Sequence, residues 1–239
     1  MNKIALISLI SILSCSPALH AGGMGDQLNT ISGFAALEGG YSFNSIDNYN
    51  YTLIGVNNAL TSTKSSEHYA VRLAGGMMFM MDEQFAMTSE LGWGYYGRTT
   101  LDPAFTGFGN LTIESSINGF DALLGIAFVQ PSYSLSLKAG ALIQNVRTET
   151  TVSTTALAFP LVDTFTLKSN QTGVLPEIKL GASYNFDNNW SITGAYMYAL
   201  GTTQQTNGSL DVNTLRATLN SNTRNPTLNT VLLGIQYTC

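Results

Sequence analysis

Seven charged residues lie at positions that share one side of the chain when it is extended. They are the side chains best placed to do chemistry. They are Glu38, Arg72, Glu90, Asp121, Lys138, Glu177 and Lys179. Four acids and three bases nearly cancel, and a buried charge is costly unless an opposite charge pairs with it. The sequence therefore predicts a paired network of ions in a narrow enclosed interior.

Histidine-based catalysis has a single candidate residue. His20 lies in the expected signal peptide, so His68 is the one histidine that could act as a base, with Ser65, Ser66 and Asp121 as candidate neighbours. Familiar Ser–His and Asp–His chemistry needs that base or its orienting partner. We expect no enzyme, and an enzyme centred on His68 stays open as an alternative. One histidine and one cysteine give too few ligands for a metal site, no glycine-rich phosphate loop follows a strand, and no cofactor is expected.

The element that must position these charges is clearest between Val174 and Leu200. Apolar and polar residues alternate from Val174 to Phe186, Asp187–Asn189 form a turn, and the alternation resumes from Trp190 to Leu200. Period two indicates two antiparallel strands with one apolar side. The same pattern occurs in six further segments: Phe34–Phe43, His68–Phe79, Phe85–Tyr95, Phe120–Phe128, Tyr133–Ile143 and Val231–Cys239. The apolar side carries no charge in any segment, and the seven charged residues lie on the other side.

These segments have about the length, roughly 9–11 residues, that a tilted strand needs to cross a bilayer. Charged residues make up only 10% of the 239 residues, against about 25% in soluble domains. Aromatic residues collect at both ends of the apolar side, as at membrane interfaces. The interface set is Tyr41, Tyr69, Trp93, Tyr95, Tyr184, Trp190, Tyr196 and Tyr237.

The predicted fold is all-β, an eight-stranded antiparallel up-and-down transmembrane β-barrel. The first strand must pair with the last, because an open edge in hydrocarbon leaves backbone groups unsatisfied at several kcal/mol each. The alternative is a soluble eight-stranded barrel with the apolar side inside, around a ligand. The many Gly, Ala and Ser residues on the polar side suit a cramped lumen better than a wet surface.

The chain divides into three parts. Residues 1–21 are expected to be a signal peptide, with Lys3 before the apolar run Ile4–Leu13 and Ala21 at the cleavage point; a lipoprotein cut before Cys15 is the alternative. Residues 22–32 would be a short periplasmic lead, and 33–239 the barrel, with four long extracellular loops at about 44–67, 96–119, 144–173 and 201–229. Without the signal, nine basic and fifteen acidic residues give a net charge of −6, which argues against nucleic acid as a partner.

Three stretches, Phe34–Ser42, Phe120–Gly125 and Leu233–Thr238, resemble eight-stranded outer-membrane proteins of the OmpA-like or opacity type. The resemblance implies the outer membrane of a Gram-negative bacterium, contact with membrane lipid and lipopolysaccharide, and assembly by the barrel-insertion machinery. Such barrels commonly end in Phe, whereas this chain ends in Cys239.

Three functions follow in order of preference. The first is a structural or adhesive surface protein that contacts host or other partners through its loops. The second is a small porin-like channel whose lumenal ion pairs exchange partners, as the resemblance suggests, and the third is a lipid-modifying enzyme. Apolar loop segments at Tyr51–Val56, Phe105–Phe108 and Ala156–Val162 either mark a binding surface or extend the strands and pack on each other.

Overall fold

The computed structural model describes residues 31–46, 49–53, 56–60, 64–101, 104–105, 109–153, 164–201, 203–212, 215–224 and 227–239. The expected signal peptide and the segment Ala156–Val162 lie outside these residues. Of the expected 22–32 lead, only its last two residues are described, and they already belong to a strand.

Eight long strands form the barrel. They are β1 (Ile31–Ile46), β2 (Lys64–Met80), β3 (Phe85–Leu101), β4 (Gly109–Val129), β5 (Tyr133–Ser153), β6 (Thr164–Asn185), β7 (Trp190–Ala199) and β8 (Thr227–Thr238). Two separate hairpins join Tyr49–Leu53 to Val56–Leu60 and Thr203–Val212 to Leu215–Arg224. The two-residue strand Ala104–Phe105 pairs with the start of β4.

The eight strands close into one antiparallel barrel. Each pairs with its neighbours in sequence, and β1 also pairs with β8. Following the paired residues once around from Phe34 leads back to β1 at Asn44, ten residues further along. This offset requires strands tilted by roughly 35–45° to the barrel axis. The predicted fold class and the pairing of first strand with last are confirmed.

The apolar side of every strand points outward. On β4 the neighbours Leu123 and Leu124 are 2% and 65% exposed, and on β8 Leu232 is fully buried while Leu233 is exposed. The soluble alternative, with the apolar side inside, is therefore wrong. Within the described residues, no helix is both long and apolar enough to cross a membrane.

The two ends of the barrel differ. Tight turns at residues 81–84, 130–132 and 186–189 join strands at one end, which we call the periplasmic end after the predicted orientation, and the opposite end the extracellular end. The last turn begins at Phe186, one residue earlier than expected. At the opposite end β3 to β6 continue through much of the predicted loops, because Thr, Val and Ile favour extended backbone there. A bulge between Tyr95 and Arg98 bends β3 where it leaves the barrel, and Gly97 supplies the φ of 102° that this kink needs.

Candidate functional site in the barrel lumen

Arg72 on β2 makes the central contacts in the lumen, and its side chain is fully buried. Its Nη1 lies 2.6 Å from a carboxylate oxygen of Glu38, which is its directly paired neighbour on β1. Nε and Nη2 donate to the two oxygens of Asp121 at 2.9 and 2.5 Å. Nη2 also lies 2.6 Å from Glu90. The guanidinium thus binds carboxylates from three strands, β1, β3 and β4.

Two lysines complete the network. Lys179 on β6 donates to Glu38 at 2.9 Å and to Glu90 at 2.8 Å. Lys138 on β5 donates to Glu90, and its ammonium lies 5.1 Å from the centroid of the Phe34 ring. Three cations and three carboxylates from six consecutive strands therefore form one connected layer across the lumen. We call this set Glu38, Arg72, Glu90, Asp121, Lys138 and Lys179 the charged layer.

Glu177 is the seventh charged residue, and it stands apart from these contacts. It is 1% exposed, and neither carboxylate oxygen has a hydrogen-bond partner among the described residues. Its paired neighbours on β5 and β7 are Gly140 and Ala199, which offer no side-chain donor. Of the four acids that point into the lumen, Glu177 is therefore the one that no cation of the charged layer binds.

Small residues on the inner wall make room for the charged layer. A Cβ at Gly92 of β3 would collide with the guanidinium of Arg72, lying 2.7 Å from its Cζ. The register also places Gly92 beside Asp121, so this one glycine opens the space in which the Arg72–Asp121 pair forms. A side chain at this position would have to displace the Arg72 guanidinium from its place among the carboxylates.

An apolar layer closes the lumen on the extracellular side of the charges. On β6 the inward positions run from Lys179 through Glu177 to Leu175, and on β5 from Lys138 through Gly140 to Leu142. This apolar layer comprises Tyr96, Leu142, Leu175, Met197, Leu228 and Leu232, all fully buried. The Tyr96 hydroxyl lies 3.9 Å from the sulfur of Met197. This layer was not predicted, although the alternation places Leu175 and Met197, two large apolar residues, on the polar side.

A cavity of about 50 Å³ lies on the periplasmic side of the charged layer. Its lining includes Lys138 and Lys179 at one end and the hydroxyls of Thr88 and Thr193. Both threonines are buried, and neither hydroxyl has a partner among the described residues. The volume suits a few water molecules rather than an organic ligand.

Asp121, a candidate neighbour of His68, is bound by Arg72. Both oxygens of Asp121 accept hydrogen bonds from Arg72, and His68 lies four residues along β2 from that arginine, near the extracellular end. The side chains of Ser65 and Ser66 lie outside the part of the chain whose side chains are described.

The eight predicted interface aromatics all lie on strands of the barrel, with their side chains on the outer wall. Trp190 and Tyr237 pack edge to face, with ring centroids 5.1 Å apart, at the periplasmic end. Tyr41 and Tyr69 make a similar contact at 5.9 Å towards the extracellular end. The remaining members are Trp93, Tyr95, Tyr184 and Tyr196.

No protein-family model and no curated protein matches the chain. Among solved structures, the outer membrane protein OprG from Pseudomonas aeruginosa is similar with a TM-score of 0.53 and 15% identity, over 90% of this chain and 99% of that chain. The outer membrane protease OmpT from Escherichia coli gives 0.48 and 10%, over 91% and 99%. Ail, the attachment invasion locus protein of Yersinia pestis, in complex with the heparin analogue sucrose octasulfate, gives 0.41 and 12%, over 87% and 99%. The likeness to OprG is one of fold.

The outer wall and the closed pairing settle the class of protein. An uncharged wall of exposed Leu, Ile, Val and aromatic residues is stable in hydrocarbon, and a barrel without a free edge leaves no strand unpaired there. The chain is a transmembrane β-barrel of the outer-membrane type.

Proposed function

We propose that this protein is a non-conducting surface protein of the Gram-negative outer membrane, a closed barrel that carries its extracellular segments as a structural or adhesive surface. The observation behind this proposal is the double closure of the lumen. Arg72 in the charged layer and Leu142, Leu175 and Leu228 in the apolar layer are all fully buried. An ion crossing the lumen would have to pass both layers, and the side chains of the apolar layer offer it a single oxygen, the hydroxyl of Tyr96.

The extracellular segments are the natural place for partner binding. Two hairpins, Tyr49–Leu60 and Thr203–Arg224, belong to no barrel sheet, and a rigid barrel beneath them can hold a variable surface. Lipid surrounds the barrel wall, and a host or neighbouring surface would meet the hairpins. Asp121, a candidate partner of His68, binds Arg72 through both oxygens, which favours a non-enzymatic role.

The test compares cells that display the full chain with cells that display a variant in which both hairpins are replaced by short turns. Heat-modifiable gel mobility checks that both barrels are folded in the outer membrane. We expect the variant to lose attachment to extracellular-matrix proteins and epithelial cells while its barrel remains folded. Attachment that is absent from the full chain, or equal in both strains, would overturn the adhesive role.

A small channel is the second candidate, and two observations favour it. The charged layer crosses the lumen, and the periplasmic cavity reaches Lys138 and Lys179. A channel would need the ion pairs to exchange partners and the apolar layer to part. Planar-bilayer recording of the purified protein separates the candidates, because stepwise current would establish the channel and a silent bilayer supports the closed barrel.

A further inference from the structure

Three cationic side chains lie together on the outer wall above the membrane. Arg98 on β3, Arg147 on β5 and Lys168 on β6 have side chains 56%, 55% and 60% exposed. Arg98 contacts Glu114; Arg147 and Lys168 share Glu149, at 2.9 and 3.5 Å. We call the three cations the basic patch. With three cations against two acids, the patch keeps one positive charge in excess.

The strand register makes the patch continuous. Arg98 pairs with Ser116 of β4, and Ser116 pairs with Arg147, so these positions form one row across three strands. The next row towards the loops pairs Glu149 with Lys168. Ile117 and Val146, adjacent in sequence to the first row, are buried inside. The side chains of the patch therefore face sideways, away from the barrel axis.

The patch lies just beyond the apolar belt of the wall. Arg147 follows Ile143, an exposed apolar residue of the outer wall, by four residues along β5. Four residues of a tilted strand correspond to a height of roughly 10 Å. Lysine and arginine side chains are long enough to reach back towards an interface from that height. The cations therefore stand at the level of lipid headgroups.

The described side chains at the two ends of the barrel differ in charge. Where side chains are described, every lysine or arginine outside the lumen belongs to the basic patch. The turns at the periplasmic end instead expose Asp82, Glu83 and Asp187. The local excess of one positive charge suits the patch to an anionic ligand.

We propose that the basic patch binds phosphate groups of the phosphorylated glycolipid in the outer leaflet, and this proposal rests on the outer-membrane setting of the proposed function. Arginine presents a fork of donors that fits phosphate oxygens, and lysine adds a compact charge. Glu114 and Glu149 hold the three cations in place while no phosphate is bound and compete with phosphate for them. The sideways orientation at headgroup height favours a lipid over a soluble polyanion, which would approach from above.

The test uses the full chain, refolded into phosphatidylcholine vesicles with and without lipopolysaccharide. The readout is the lipopolysaccharide concentration that half-saturates the rise in unfolding temperature, followed by gel mobility. We expect R98Q/R147Q/K168Q to need at least about tenfold more lipopolysaccharide than the wild type, with equal unfolding temperatures in phosphatidylcholine alone. Added salt should weaken the wild-type effect, because these contacts are exposed and screened.

The matched control is E114Q/E149Q, which removes the competing acids and keeps the cations. It should respond at a lower lipopolysaccharide concentration than the wild type. If the triple variant refolds poorly, R147Q alone serves, with a smaller shift in the same direction. An unchanged response in the cation variants overturns the proposal, and so does loss of binding to a soluble sulfated glycan without any change towards lipopolysaccharide. Replacing the two hairpins leaves the patch in place, so failure of attachment and failure of lipid binding are separate results.

Discussion

Leu123 and Leu124 are adjacent on β4 and have opposite surroundings. Leu123 points into the lumen and is buried, whereas Leu124 points outward and is exposed on the outer wall. The same contrast runs around the membrane-spanning part of the barrel, where the outer wall carries no charge and the lumen combines a charged layer with an apolar one. The difference shows that the two sides of each strand follow separate rules. The outer wall must exclude charge, and the lumen must pair charge and fill space.

Arg72→Ala, a substitution inside the lumen, should cause the largest loss of unfolding free energy. It would leave Glu38, Glu90 and Asp121 without their central cation, and removing one partner of a buried pair typically costs about 3–5 kcal/mol. Urea titration in lipid vesicles measures the free energy of unfolding. Arg98→Ala, which removes an exposed ion pair, should cost no more than about 1 kcal/mol. Equal losses in the two variants would refute the buried network.

Leu124→Arg, on the outer wall, should destabilise the barrel by a smaller amount. Leu124 lies midway between Phe120 and Phe128 on β4, and an arginine facing lipid near the bilayer midplane costs roughly 2–4 kcal/mol. The control is Val174→Arg, at the extracellular end of the apolar run on the outward face of β6, where the cost should fall to roughly 0–1 kcal/mol. Urea titration measures the free energy of unfolding of both variants. Equal losses at the two depths would contradict the assignment of these positions to the lipid-facing side.

Glu38→Gln and Glu177→Gln sharpen the comparison within the lumen. Glu38 accepts hydrogen bonds from Arg72 and Lys179. Its replacement by Gln should therefore lower the free energy of unfolding by about 1.5–3 kcal/mol. Glu177 lacks a hydrogen-bond partner among the described residues, and the amide should change the unfolding free energy by less than about 1 kcal/mol. Unfolding of both proteins in vesicles gives the difference directly. A larger effect for Glu177 would mean that it belongs to the network.

Much of the membrane-spanning fold could be predicted, because lipid imposes a strict rule on sequence. Every residue that faces hydrocarbon must be uncharged, so period-two alternation revealed all eight strands and placed Glu38 and Arg72 on the inner side. Beyond the membrane this rule no longer applies. The stretch Gln144–Ser153 continues β5, yet its outward side carries Arg147 and Glu149. It therefore lacks the uncharged side by which the other strands were recognised.

The interior of the site was less predictable than its wall. Alternation assigns a residue to a side of the strand but does not tell which side chains meet across the lumen. Glu177 and Lys179 have the same sequence signature, and only the packing of side chains from distant strands separates the partnered lysine from the unpartnered acid. The membership of Leu228 and Leu232 in the apolar layer was equally hidden from the sequence. Their position along the lumen depends on how β8 pairs with β1, which alternation does not reveal.

The central claim, that hydrocarbon surrounds the uncharged wall, is tested most directly by the two tryptophans of the chain. Trp93 and Trp190 both lie exposed on that wall, towards opposite ends. Lipids brominated at different depths along their chains should quench the fluorescence of both residues in refolded vesicles, most strongly when the bromines are close to the headgroups, and aqueous iodide should quench little. Strong quenching by iodide with none by brominated lipid would contradict the account.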